Sequence, residues 1–217
     1  MAMEIKKIGK RSIIFSQYVP DGWNLHIHLI LGDAYNYIID SGLGSGDMEE
    51  VLTYIGQSDK PIILINTHYH WDHIWGNYLF KEGMIVAHRR CRQIIDEKWD
   101  SMLAHNKQYV HGFTEKCLPN ITFDSELYFE KDKIRLIYTP GHTEDGICII
   151  DEEDKVLNVG DNIGDDMAHL IPNLYCEKKV YLSSLEKYLD IEFDYCVSGH
   201  NQIVTKETIK DIIKMLI

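Results

Sequence analysis

Four potential metal ligands lie within one short segment of the chain, which reads THYHWDH at residues 67–73. His68 and His70 are two residues apart, so their side chains leave an extended backbone on the same side. Asp72 and His73 come where the chain turns into a predicted helix, so they point in different directions. Imidazole and carboxylate groups suit zinc, and they also bind iron or manganese. One loop can therefore supply ligands to two metal ions, although four ligands cannot fill both.

Further candidate ligands occur at three later positions, each where a predicted strand ends in a turn. They are His142, Asp161 and His200, and each comes directly after a glycine. Glycine permits unusual backbone angles and close approach where a chain bends into a site. Asp161 is the natural bridging ligand, because a carboxylate has two oxygens to offer to two cations.

Predicted strands and helices are mixed along the sequence and no linker divides it, so we expect a single domain over residues 1–217. The stretch between Lys107 and Asn120 is irregular. The predicted strands are Ser12–Val19, Asn24–Leu31, Ala34–Asp40, Pro61–Asn66, Met84–Ala87, Ile121–Phe129, Ile134–Thr139, Ile147–Asp151, Val156–Val159 and Tyr195–Val197. The predicted helices are Asp47–Ile55, Trp71–Lys81, Arg89–Asn106, Val180–Leu189 and Lys206–Leu216.

The charge balance argues against a nucleic-acid partner. Lys and Arg number 22 against 34 Asp and Glu, which gives a net charge of −12. Proteins that bind nucleic acid usually present a basic patch, and the one dense basic run, at residues 88–92, is typical of a solvated helix face. We therefore expect a small-molecule substrate and no nucleic acid. The oligomeric state is left open.

Cysteine usage and hydropathy indicate the compartment. The five cysteines are widely spaced and form no C-x-x-C pair, which favours a reducing environment over a disulfide framework. The first residues lack the apolar core of a signal peptide. The longest apolar stretch, Leu25–Leu31, is far too short to cross a bilayer. These features predict a cytoplasmic protein without a membrane partner.

The ligand pattern resembles that of the metallo-β-lactamase superfamily, in which H-x-H-x-D-H is followed by G-H-T, G-D and G-H. The resemblance extends from about Leu25 to His200, and Asp40-Ser41-Gly42 is similar to a turn that precedes the motif in that family. It implies an α+β fold, an αββα sandwich of two mixed β-sheets flanked by helices, with the metals at one edge. It also implies a first metal on His68, His70 and His142, a second on Asp72, His73 and His200, and Asp161 as the bridge.

Four other residues are candidates around this site. Asp40 and Thr143 are expected to orient ligands through hydrogen bonds. Trp71 is a candidate for substrate binding. His26 is a weaker candidate, because with His28 it is more simply interpreted as one exposed face of a strand.

Differences from the motifs of known subfamilies indicate which branch of the superfamily the sequence resembles. Secreted β-lactamases carry Cys where this chain has Asp161, and flavodiiron proteins carry Glu where it has His70. Quorum-quenching lactonases carry Tyr where it has Gly164. The sequence therefore resembles a small, single-domain member of the glyoxalase II and lactonase branch, without matching one activity. The segment at residues 89–120 is expected either to cover the metals and contact substrate or to be a plain outer helix.

The resemblance implies a dinuclear metal-dependent hydrolase with two divalent ions, zinc first and iron or manganese as alternatives. A metal-bridging hydroxide would attack a small ester, thioester, lactone or amide, and Asp72 could pass a proton. Neither ligand loop carries Lys or Arg, which favours neutral or cationic substrates over a phosphodiester. The alternatives are an iron-bound oxidoreductase of the same fold, or a phosphodiesterase.

Overall fold

The computed structural model describes residues 3–19, 21–56 and 58–217. The strands in these ranges are β1 (Glu4–Ile8), β2 (Ser12–Val19), β3 (Trp23–Leu31), β4 (Asn36–Ile39), β5 (Ile62–Ile65), β6 (Met84–His88), β7 (Ile121–Phe123), β8 (Glu126–Phe129), β9 (Ile134–Tyr138), β10 (Ile147–Asp151), β11 (Val156–Asn158) and β12 (Tyr195–Val197). The helices are α1 (Ser45–Ile55), α2 (Trp71–Ile74), α3 (Arg89–Asn106), α4 (Lys178–Asp190) and α5 (Lys206–Leu216).

The strands form two mixed sheets, one from each half of the chain. In the seven-stranded sheet, β1 to β7 are neighbours in sequence order. Its first four strands are antiparallel, and β4 to β7 are parallel. The five-stranded sheet has the order β12-β11-β10-β9-β8, with β11 and β12 parallel. Each half therefore builds its own sheet.

Apolar side chains join these sheets and helices into four layers. Tyr37 of the first sheet and Leu136 of the second belong to one buried cluster between the sheets. Helix α1 packs Val51 against the other face of the first sheet. Helices α4 and α5 cover the second sheet, with Leu185 and Ile209 fully buried. The predicted αββα sandwich is confirmed, because each sheet buries both of its faces.

Helix α3 lies beside the loop that follows β5. Its buried residues Ile94, Ile95 and Trp99 pack in one cluster with Trp75 and Tyr69. This packing places α3 next to the segment that carries four of the predicted ligands. No helix of the described residues is long and apolar enough to cross a membrane.

Three sequence predictions of elements were wrong or incomplete. The predicted helix Trp71–Lys81 ends at Ile74, and a separate 3₁₀ turn follows at Asn77–Phe80. Tertiary contacts interrupt it, because the amide of Trp75 donates to the carbonyl of Gly42 over 3.1 Å. The predicted strand Ile121–Phe129 is split between the two sheets, and β1 was missed. Four of the five residues of β1 are exposed and three are charged, so it lacks the apolar alternation of a buried strand.

Candidate metal centre

Five loops converge at one edge of the sandwich. They follow the carboxyl ends of β4 and β5 in the first sheet, and of β9, β11 and β12 in the second. Within each sheet these strands run in the same direction, which brings the ends of different strands to a common edge. The side chains that meet there form two groups with closely spaced ligand atoms. The first contains His68, His70, His142 and Asp161, and the second contains Asp72, His73 and His200.

Asp161 lies at the centre of both groups. Its Oδ2 atom lies 3.1 Å from Nε2 of His200 and 3.3 Å from Nε2 of His73. The same oxygen lies 3.5 Å from Nε2 of His68 and 3.7 Å from Nε2 of His142. One carboxylate therefore faces imidazoles of both groups, which is the arrangement that bridging between two cations requires.

Asp72 completes the second group and faces the open side of the site. Its Oδ2 atom lies 3.4 Å from Nε2 of His200 and 3.6 Å from Nε2 of His73. Asp72 retains 8% of its surface exposed and lines a cavity. Its carboxylate can thus bind a cation and also reach a molecule in the cavity.

Backbone carbonyls orient two of the imidazoles from behind. Nδ1 of His142 lies 2.6 Å from the carbonyl of Asn173, and Nδ1 of His200 lies 2.6 Å from that of Asn24. A carbonyl can only accept, so each Nδ1 carries the hydrogen and donates it. With Nδ1 engaged in this way, Nε2 is the atom of each ring that can offer a lone pair to a metal ion.

Asp40 orients two of the three imidazoles of the motif, those of His68 and His73. Its Oδ2 accepts from Nδ1 of His73 over 2.8 Å and from the Thr67 hydroxyl over 2.7 Å. That hydroxyl lies 3.0 Å from Nδ1 of His68, so a chain of donors connects His68 to the same carboxylate. The predicted orienting position of Asp40 agrees with this geometry.

Several buried polar atoms at the centre lack a hydrogen-bond partner among the described residues. They are Nε2 of His68, Nε2 of His73 and Oδ1 of Asp161. A buried polar atom without a partner destabilises a fold, so such atoms at one point indicate a missing partner. Two imidazole lone pairs and a carboxylate oxygen fit a divalent cation. The residues present therefore suit the metal that their pattern predicts.

The protonation of the cluster follows from burial and charge. Burial opposes a positive charge on His200, but the carboxylates of Asp161 and Asp72 outweigh it and raise the pKa of His200 to about 9. Burial also opposes ionisation of Asp161, but the surrounding imidazoles hold the pKa of its carboxyl well below its usual value. Burial and the nearby His142 lower the pKa of His70 to about 3. His200 must therefore release a proton when it binds a metal ion, whereas His70 is already neutral.

Close packing explains two of the glycines that precede ligands. A Cβ atom on Gly199 would lie 2.2 Å from Oδ1 of Asp161 and 2.7 Å from Cε1 of His73. Gly160 has a φ of +53° and packs against Thr67, where a Cβ would lie 3.0 Å from the Thr67 Cβ. Any side chain at position 199 would push the Asp161 carboxylate aside.

A cavity of about 800 Å³ opens over the cluster. Trp71 lines it, as predicted for a substrate contact, and stacks on Tyr109 with 5.1 Å between ring centres. Trp23 packs edge-on against Trp71, with ring centres 6.0 Å apart. Tyr109 comes from the predicted covering segment, so this segment lies on the metal side of the sandwich. Its contact with substrate remains a prediction.

One face of α3, the helical part of the predicted covering segment, also lines the cavity. Lys98, Met102 and Asn106 are four residues apart and so share a face of the helix. The ligand loops carry no Lys or Arg, so no basic side chain was expected at the site. Lys98 corrects this, and its position depends on the docking of α3 rather than on any motif.

Three other predictions have different outcomes. His26 does not line the cavity, and its Nδ1 lies 3.1 Å from the carbonyl of Ser198. His28 is 1% exposed, so the prediction of an exposed pair was wrong. Thr143 makes no hydrogen bond to a ligand side chain in the described chain, but its carbonyl accepts from Gly141 over 3.0 Å and stabilises the turn before His142.

Comparison with known proteins agrees with this geometry. A family model, that of the metallo-beta-lactamase superfamily, matches residues 21–200. Acyl-coenzyme A thioesterase MBLAC2 of Gallus gallus is 24% identical over 200 residues, covering 82% of this chain and 71% of that protein. A probable metallo-hydrolase of Methanocaldococcus jannaschii is 29% identical over 167 residues, covering 74% and 70%.

Solved structures show the same fold. A metallo-beta-lactamase from Hirschia baltica superposes with a TM-score of 0.79 at 16% identity, covering 100% of this chain and 98% of that one. One from Pontibacter korlensis gives 0.74 at 18% identity, covering 99% and 98%. At these identities the likeness concerns the fold alone. Together with the family match over most of the sequence, it shows that this chain belongs to the metallo-beta-lactamase superfamily and is a metal-dependent hydrolase.

Proposed function

We propose that the protein is a dinuclear hydrolase of small acyl substrates, with thioesters as its preferred class. The observation that carries the proposal is the position of Asp161, whose Oδ2 lies within 3.7 Å of imidazoles from both ligand groups. A mononuclear site would need only one of the two ligand groups, yet both are buried to a similar degree.

The seven side chains divide into two sites that share Asp161. Bound divalent ions, zinc before iron or manganese, supply Lewis acidity, lowering the pKa of water and polarising a carbonyl. The contacts behind the rings fix their orientation, so that Nε2 of each of four imidazoles faces the centre; these are His68, His73, His142 and His200. The first site takes His68, His70 and His142, the second takes Asp72, His73 and His200, and Asp161 serves both.

Asp72 has the position of a proton carrier. It lines the cavity and lies beside His200, so its carboxylate reaches both the buried cluster and a bound substrate. In hydrolysis of a thioester, water forms a bond to the carbonyl carbon and the carbon–sulfur bond breaks. Asp72 can accept the proton lost by the water and deliver it to the departing thiolate.

Two observations favour thioesters among acyl substrates. Part of the cavity wall is aromatic, with Trp23, Trp71 and Tyr109, and α3 adds the thioether of Met102. Such a surface suits an acyl chain and a polarisable sulfur. The relative from Gallus gallus carries the name acyl-coenzyme A thioesterase. The cavity volume of about 800 Å³ is also typical of a small-molecule site.

A substrate screen tests this function. Protein loaded with zinc, iron or manganese is compared on matched thioesters, esters, lactones, amides and phosphodiesters, with and without a chelator. We expect thioester turnover that the chelator abolishes and that added metal restores. Asp161→Asn should lose most of it, and Asp124→Asn, an exposed carboxylate paired with Arg89, serves as the control. Phosphodiester turnover above every acyl substrate, or chelator-resistant turnover, would overturn the proposal.

A further inference from the structure

One ammonium group lies in the wall of the cavity. Nζ of Lys98 is 4.8 Å from the centre of the Tyr69 ring, and that ring is 4.6 Å from the ring of His70. A single aromatic ring therefore separates the ammonium from a metal-site imidazole. Among the described residues, Lys98 is the one Lys or Arg that lines this cavity.

Lys98 has no carboxylate partner in the described chain. No Asp or Glu oxygen lies within 4.0 Å of its Nζ atom, the limit for an ion pair. By contrast Asp96, which is on α3 like Lys98, pairs with Lys116 at 2.5 Å. The face of the Tyr69 ring attracts the ammonium weakly. The charge of Lys98 is thus held at the cavity and left free to bind an anion.

The charge of the cavity floor also favours an anion when the site is loaded. Three carboxylates line the cavity, those of Asp72, Asp161 and Asp165. Two divalent ions would carry one positive charge more than these three neutralise, and the imidazole ligands add none. The sequence-based expectation of neutral or cationic substrates considered only the protein's own carboxylates. With metal bound, Lys98 and the cavity floor both carry positive charge.

We propose that Lys98 selects acyl substrates that carry an anionic group, a carboxylate or a phosphate. The proposal rests on the function proposed above and specifies its substrate class. The scissile carbonyl would lie at the metal cluster, with the anion at Lys98. Met102 and Asn106, on the following turns of α3, would flank the chain between them.

The test compares substrates that differ only in charge. One pair is S-acetyl-3-mercaptopropionate and its neutral amide, and the other is acetyl-4′-phosphopantetheine and acetylpantetheine. The metal-loaded protein should show a higher kcat/KM for the anionic member of at least one pair. Lys98→Met should reduce that preference roughly fivefold, as expected for a partly exposed ion pair. Lys98→Arg and Lys214→Met, an exposed lysine of α5 outside the cavity, should retain it.

The pair that responds identifies the anion. A response of the first pair indicates a carboxylate near the thioester, and a response of the second indicates the more distant phosphate. If the wild type shows no charge preference, or if Lys98→Met retains it in both pairs, the proposal is wrong. A role limited to packing on Tyr69 would change both members of a pair equally.

A binding measurement separates this proposal from the proposed function. Metal-free protein is titrated with the non-hydrolysable thioether 3-(ethylthio)propanoate and with its amide, and the fluorescence of Trp23 and Trp71 in the cavity wall is followed. Lys98→Met should weaken binding of the acid about fivefold and leave the amide unchanged. This result without turnover of any acyl substrate would refute the hydrolase function but keep the anion site. Turnover of acyl substrates without charge discrimination would support the hydrolase function and refute the anion site.

Discussion

Oδ2 of Asp40 accepts a hydrogen bond from Nδ1 of His73 over 2.8 Å, at the base of the second ligand group. The same carboxylate accepts from the amide and the hydroxyl of Thr67, so one acid fixes the loop and the ring together. Asp40 has a φ of +62°, a left-handed conformation that Asn and Asp tolerate better than other residues. Asparagine can therefore replace it with little change to the backbone.

Asp40→Asn should weaken metal binding at the second site. The substitution replaces a carboxylate that accepts three hydrogen bonds with an amide whose NH2 group can accept none, so the His73 ring loses its fixed orientation. Loss of such an outer partner costs about 10- to 100-fold in metal affinity. Competition with a chelating dye measures the affinity, and circular dichroism checks the fold. Unchanged affinity in a folded variant would show that Asp40 does not act through His73.

Gly199→Ala should disrupt the bridging position without removing a ligand. The new Cβ would lie 2.2 Å from Oδ1 of Asp161, too close for both atoms to remain in place. We expect fewer metal ions per chain and loss of most chelator-sensitive turnover. Gly83→Ala is the matched control, because its Cβ would approach no atom more closely than 3.4 Å. Equal metal content in both variants would contradict this packing.

His28 should make stability depend on pH away from the metal centre. Burial lowers the pKa of His28 to about 3, whereas in the unfolded chain it has its ordinary value of 6.5. Below pH 6.5, His28 binds a proton in the unfolded chain but not in the folded chain. Stability is therefore complete above pH 6.5 and falls as the pH drops toward 3.

The pH effect of His28 is measured by urea unfolding of the metal-free protein. Between pH 7.5 and pH 5 this one residue should remove roughly 2 kcal/mol from the free energy of unfolding. His28→Gln should show a correspondingly smaller loss over that interval, whereas His105→Gln, a substitution of an exposed histidine, should match the wild type. An identical loss in all three proteins would exclude the contribution of His28.

The ligand set could be predicted because its chemistry is local. His68, His70, Asp72 and His73 occupy one loop, and each later ligand follows a glycine at a strand end, so short patterns carry the information. The αββα layers were likewise predictable through the family that these residues resemble. Helix α3 agreed with its predicted range because an apolar stripe and a charged face repeat along it.

The surroundings of the ligands could not be predicted, because they depend on long-range contacts. The carbonyls of Asn24 and Asn173 are 176 and 31 residues away from the imidazoles they orient, and every residue has a carbonyl. Lys98 enters the cavity only through the docking of α3 on the ligand loop. His28 was predicted to be exposed because an alternating strand does not show which of its faces a second sheet will cover.

The metal content of three proteins tests the central claim, that seven side chains hold two ions around Asp161. Wild type, His142→Ala and His200→Ala are loaded with zinc, passed through a desalting column and analysed for metal and protein. The two-site geometry predicts about two ions per chain in the wild type. Each variant should lose one of its two ions more readily than the other, because each substitution removes a ligand of a different site. One ion per saturated wild-type chain, with His200→Ala unchanged, would contradict the dinuclear centre.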